Sequence, residues 1–108
     1  MNTVSITGKS GHTYTFEGGY NSTNPLQDRS GIYAILDKLN GKYSLVDVGE
    51  SHQVKTRIEN HDRKPCWNGK IKGQIECAVL YTPNANQHGR MQIEQDIRAG
   101  FNNLCGDR

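Results

Sequence analysis

Arg57 and His61 stand four residues apart in a stretch with helical apolar spacing, and Glu94 stands on the apolar stripe of a second such stretch. At 100° per residue, Val54 and Ile58 define the first stripe, and Arg57 and His61 lie together on one flank of it. A guanidinium and an imidazole so placed can project into a shared cleft. The plainer alternative is an Arg57 whose stem covers the core edge while its head stays in water. In the second stretch Ile93, Ile97 and Phe101 make the stripe, Met91 widens it, and Glu94 falls inside the arc. A carboxylate among apolar residues must find a cation or neutralise, because unpaired burial is costly. Two partners are open to it: Arg98, four residues on, or a divalent metal at the stripe's edge.

Charge is unevenly spread. The 108 residues sum to +2, yet residues 52–72 hold Lys55, Arg57, Arg63, Lys64, Lys70 and Lys72 against only Glu59 and Asp62. Such a stretch suits a polyanion, and it equally suits a solvated helix and loop. The near-neutral total also permits a protein partner in place of a nucleic acid. Gly8-Lys9-Ser10 lacks the upstream glycine of a phosphate-binding loop, so no nucleotide cofactor is expected. Cys66, Cys77 and Cys105 are odd in number and include no Cys-x-x-Cys pair, which predicts reduced thiols and sets aside a zinc site shared with His61. No run of 18 apolar residues is present, and no basic segment followed by an apolar one opens the chain. Those two absences predict no membrane span and a cytoplasmic location.

The elements that must hold these residues read as α+β. With 33% apolar residues and a mean hydropathy of -0.78, one small core in one domain, residues 1–108, is expected. Val4–Thr7 and His12–Phe16 alternate around Gly8–Gly11, predicting an N-terminal hairpin within residues 1–19. Residues 17–30 read as a connecting loop. Gly31–Leu36 and Tyr43–Val48 flank Asn40-Gly41, a strong turn signal, and read as a second hairpin. Strand alternation places Tyr43, Leu45 and Asp47 on one face and Ser44, Val46 and Val48 on the other. A helix follows from Ser51, its expected N-cap, to about Asp62. Cys66–Gly69 read as loop, Ile75–Tyr81 as a strand, and residues 86–99 as a last helix stopped by Gly100. The expected fold is thus a small, mainly antiparallel three-stranded core sheet flanked by helices, with an extra N-terminal β-hairpin.

Gly31-Ile32-Tyr33, then Asp47-Val48-Gly49 one hairpin later, then Arg57, His61 and Glu94, resemble the GIY-YIG nuclease domain, most nearly its homing-endonuclease branch. The resemblance spans about residues 31–105. It implies a divalent-metal-dependent endonuclease acting on DNA, with Mg²⁺ or Mn²⁺ held by Glu94. It implies that Arg57 neutralises charge on the phosphate, that Tyr33 orients or deprotonates the attacking water, and that His61 assists proton transfer or binds phosphate. Gly31, Gly49 and Asn103 (or its neighbour Asn102) take the family's structural positions, the asparagine over a shorter interval than the family shows. Tyr43, Lys55, Arg63, Lys64, Lys70 and Lys72 are the expected nucleic-acid contacts. The departure is Asp47, where the family has a tyrosine. Asp47 either joins Glu94 as a second metal ligand or repels the phosphate, leaving a catalytically impaired module that binds nucleic acid or protein.

Overall fold

The computed structural model describes residues 2–106. Its elements are β1 (Thr3–Thr7), β2 (Thr13–Tyr20), β3 (Gly31–Leu39), β4 (Lys42–Ser51), α1 (Val54–Glu59), α2 (Lys64–Lys70), β5 (Gln74–Tyr81) and α3 (Gln87–Ala99). The strands form one five-stranded antiparallel sheet in the order β1-β2-β5-β3-β4.

That order overturns the expected three-stranded core with a hairpin beside it. Glu17, Gly18 and Tyr20 of β2 pair with Val79, Ala78 and Cys77 of β5. The N-terminal hairpin therefore continues the core sheet, and β2 runs through Gly18-Gly19 where a loop was expected. The apolar side chains of the hairpin explain the docking. Phe16 is fully buried, and Val4 and Ile6 join it in a cluster with Ile32, Ala34, Val48 and Ile97. A two-stranded hairpin has no stable place for such residues by itself, whereas the edge of β5 offers both hydrogen bonds and an apolar face.

β3 lies between β5 and β4 and is buried from Gly31 to Asp37, and its alternating side chains feed both faces. Tyr33 and Ile35 face α1 and α2 with Val46, Val54, Ile58 and Trp67. Ile32, Ala34 and Leu36 face α3 through Ile97. The turn between β3 and β4 is as expected, with Asn40 at φ 54° and Gly41 at φ 77°. The register is not. Ile35 pairs with Asp47 but Leu36 pairs with Leu45, so Val46 is the extra residue of a bulge. A bulge shifts every later side chain to the other face. Tyr43 and Leu45 consequently face α3, while Asp47 stands opposite Ile35 on the other side.

The helices also differ from expectation. The stretch expected to run from Ser51 to Asp62 is helical only over Val54–Glu59, and Ser51 is not its cap. Asp28 caps it from outside, accepting from the Thr56 backbone at 2.9 Å and the Thr56 hydroxyl at 2.6 Å. Cys66–Gly69 lie in a helix, with a proline in its first turn and Trp67 buried. Cys66 and Cys105 form a disulfide, so two of the three expected free thiols are absent and α2 is tied to the segment after α3. Cys77 stays a thiol, and burial pushes its pKa up to about 11. No helix among the described residues is long and apolar enough to cross a membrane.

Phe16→Ala is expected to cost about 3–5 kcal/mol in urea unfolding, the loss typical of a buried aromatic. A hairpin outside the core would leave the midpoint almost unmoved.

Candidate active site

Tyr33 and His61 meet. The Tyr33 hydroxyl lies 2.5 Å from His61 Nε2, with the rings edge to face at 5.4 Å between centroids. Both are nearly covered, at 2% and 5% exposure. β3 brings Tyr33 here, and the turn leaving α1 brings His61. Gly49, opposite Tyr33 on β4, makes the contact possible, because a Cβ there would fall 2.1 Å from the Tyr33 hydroxyl. Gly31 is constrained in the same way, its missing Cβ facing the Leu80 carbonyl.

Electrostatics set the protonation of the pair. Burial, then the Arg57 and Arg63 charges, push the His61 pKa down to about 4, so the ring is neutral at pH 7. Burial raises the Tyr33 pKa to about 12; Arg63 and Arg57 oppose that rise, while Asp47 and Glu94 add to it. Tyr33 is therefore a phenol at neutral pH. Arg57 has the half-open side chain expected of it, holding Asp62 at 3.2 Å across the surface. That exposed pair contributes little to stability.

Glu94 is buried, as its place on the stripe predicts, and Arg98 is its local partner, with Nε donating to Oε2 at 3.2 Å. Arg90, one turn earlier, is buried too and donates from Nε to Glu50 at 2.9 Å. Sequence reasoning passed over Arg90 and Glu50. The signal available was arginine at four residues on either side of Glu94, a pattern that puts three charges on one buried face.

Asp47 has no exposure at all. Its two oxygens accept from five donors: the Val48 backbone at 2.8 Å, Arg63 Nε at 2.8 Å and Nη2 at 3.2 Å, Trp67 Nε1 at 2.7 Å, and Arg98 Nη2 at 2.5 Å. A carboxylate so occupied has no oxygen to offer a cation. Its charge is also neutralised by two guanidiniums before any phosphate arrives. Neither expected role of Asp47 fits this setting. Arg63 is likewise spoken for, which removes it as a free nucleic-acid contact. Among the described residues no group of three His, Cys, Asp or Glu side chains gathers as a metal site. Mg²⁺ asks for less, since one carboxylate with water and phosphate oxygens is a sufficient ligand set. Glu94, for its part, is 4% exposed and holds Arg98.

The remaining candidates scatter. Tyr43 sits near the β3–β4 turn, six residues along β4 from Gly49, and donates to Glu76 at 2.8 Å. Lys64 donates to the Glu59 carbonyl at 2.6 Å, and Lys70 and Lys72 are exposed around the end of α2. Lys55 is half-buried on α1. Asn103 adopts φ 64° in the tail, a backbone role that asparagine tolerates well. A cavity of about 420 Å³ beside Tyr20 and Trp67 is lined by none of Tyr33, Arg57, His61 or Glu94.

No family model, curated protein or solved structure matches the chain.

Two outcomes follow from these charges. Asp47→Asn removes the carboxylate that, among the described residues, Arg63 and Arg98 share, and is expected to cost about 3–5 kcal/mol, as breaking a buried pair does. For His61, the unfolded chain takes up a proton near the ordinary value of 6.5, and the folded chain only near 4. Stability should therefore fall as pH drops through that window, by roughly 2–3 kcal/mol. Thermal melts between pH 7 and 4 should show this slope, and His61→Asn should flatten it.

Proposed function

We propose that the protein is a phosphodiester hydrolase of the GIY-YIG type acting on DNA, with one divalent cation such as Mg²⁺ or Mn²⁺ taken up at Glu94. The observation that carries this reading is the Tyr33–His61 hydrogen bond beside Arg57, made over a glycine that leaves room for it. The resemblance places those same residues at the chemical step.

The chain's own groups have definable work. Arg57 presents a guanidinium that is 39% exposed and can receive a phosphate at the surface. Its planar fork suits the non-bridging oxygens. Neutral His61 holds the Tyr33 oxygen in place. Tyr33 accepts or directs the proton of an attacking water, and must lose its own proton to act as the base. The bound cation would stabilise charge on the phosphoryl group and leaving oxygen. Exposed lysines on the α1–α2 side, Lys64 and Lys70 among them, would add salt-dependent affinity for the backbone.

A second reading is a module of the same fold that binds nucleic acid or protein without cutting. The near-complete burial of Tyr33 and His61 favours it, because a closed pair offers a phosphate no direct approach. The Cys66–Cys105 disulfide suits an oxidising compartment, against the cytoplasmic expectation.

Plasmid nicking in Mg²⁺ decides between the two. Wild type should nick, while Glu94→Gln and Tyr33→Phe should lose at least about a hundredfold in rate. The wild-type rate should climb about tenfold per pH unit from pH 6 to 9, since the Tyr33 phenol stays below half-ionisation throughout. Salt-dependent DNA binding with no nicking in any divalent metal would favour the second reading.

A further inference from the structure

His61 has two ring nitrogens with different neighbours. Nδ1 lies 3.0 Å from the Arg63 backbone nitrogen, on the line of its N–H. It also lies 3.3 Å from Asp62 Oδ1. A backbone N–H is always a donor, so the first contact requires a lone pair on Nδ1. A proton on Nδ1 would instead favour Asp62. Asp62 is 78% exposed and already takes Arg57, so its pull is weakened by water and by a cation. The Arg63 contact has no such discount, because the Arg63 backbone is fixed. Its guanidinium is clamped to Asp47 by two hydrogen bonds, and Asp47 is held in turn by Trp67 and Arg98.

We propose that Asp47 is a positioning residue that fixes the tautomer of His61 through Arg63, so that His61 donates from Nε2 to the Tyr33 oxygen and does not take its proton. The chain of contacts is Asp47 carboxylate, Arg63 guanidinium, Arg63 N–H, His61 Nδ1, His61 Nε2–H and Tyr33 oxygen. This goes beyond the hydrolase reading, because it states the proton on each atom whether or not the chain cuts DNA. It reverses the direction expected of His61. A histidine that donates to Tyr33 lowers the cost of the phenolate and cannot be the base that makes it. It also leaves the Tyr33 proton aimed away from His61.

The test is ¹⁵N NMR of the imidazole in the intact, oxidised protein at pH 7. Wild type should show a single Nε2–H tautomer for His61, with a cross-peak from Nε2–H and a lone-pair shift at Nδ1. Arg63→Ala and Asp47→Asn should let the tautomers mix and shift both nitrogens. Arg63→Lys, which keeps one charge–charge contact and the backbone N–H, should restore most of the wild-type pattern. Asp47→Asn is at risk of unfolding, and Arg63, with a side chain 28% exposed, provides the safer variant. An Nδ1–H tautomer in wild type would overturn the proposal, as would an unchanged spectrum in folded Arg63→Ala. These readings do not depend on cleavage. A chain that shows the expected tautomers and never nicks DNA retains the relay and loses the hydrolase assignment. A chain that nicks DNA with His61 as Nδ1–H does the reverse.

Discussion

A fully buried carboxylate facing two guanidiniums organises this molecule. Asp47 sits on the edge strand β4, where helices from both faces of the sheet can reach it. Arg63 and Trp67 approach from the α1–α2 side, and Arg98 from α3. Desolvating three charges is expensive, and only a complete set of partners offsets it. That completeness couples the layers. Arg98 donates to Asp47, to the Val48 carbonyl, to Glu94 and to the Cys105 carbonyl. Moving any one of these elements would strand a charge on another.

The candidate site borrows its order from this cluster. Tyr33 and His61 are held by packing and by one short hydrogen bond, but the turn that carries His61 is anchored through Arg63. Glu94 is anchored through Arg98. Both halves of the site thus trace back to one carboxylate. The disulfide reinforces the same corner, since it joins α2 to the tail whose Cys105 backbone N–H donates to the Val46 carbonyl. Rigidity here has a consequence for function. A site fixed this firmly is preorganised, and its burial demands that any molecule acted on reach the Tyr33 oxygen past a closed surface.

The N-terminal hairpin contributes in a different way. It lengthens the sheet beyond β5, supplies Phe16 to the α3-side core, and is latched to α3 by Asp96. That carboxylate accepts from the Ser10 backbone, the Ser10 hydroxyl and the Tyr14 hydroxyl. The pKa of Asp96 is held low by those hydrogen bonds, Tyr14 first among them. The helix bearing Glu94 is therefore held near its C-terminal end twice over, by the hairpin at Asp96 and by the tail at Arg98.

Local chemistry was legible from the residues alone. Asn40-Gly41 specified its turn because both residues accept positive φ. The spacing of Ile93, Glu94 and Ile97 placed a carboxylate on a buried helix face because helical periodicity is a local property. The same arithmetic put His61 on the helix flank of Arg57, but α1 stops at Glu59 and His61 lies in the turn that follows. The tertiary structure alone decided the rest. Pairing of β2 with β5 joins residues some sixty positions apart, and no local pattern encodes which edge a hairpin will choose. The bulge at Val46 moved Asp47 to the opposite face, a shift of one residue that alternation cannot foresee. Whether Asp47 met a metal, a phosphate or two arginines depended on what three separate elements brought to it, and so did the joining of Cys66 to Cys105. Sequence periodicity fixes the direction in which a side chain leaves its own strand or helix; what waits there is set by packing between elements that the chain brings together only on folding.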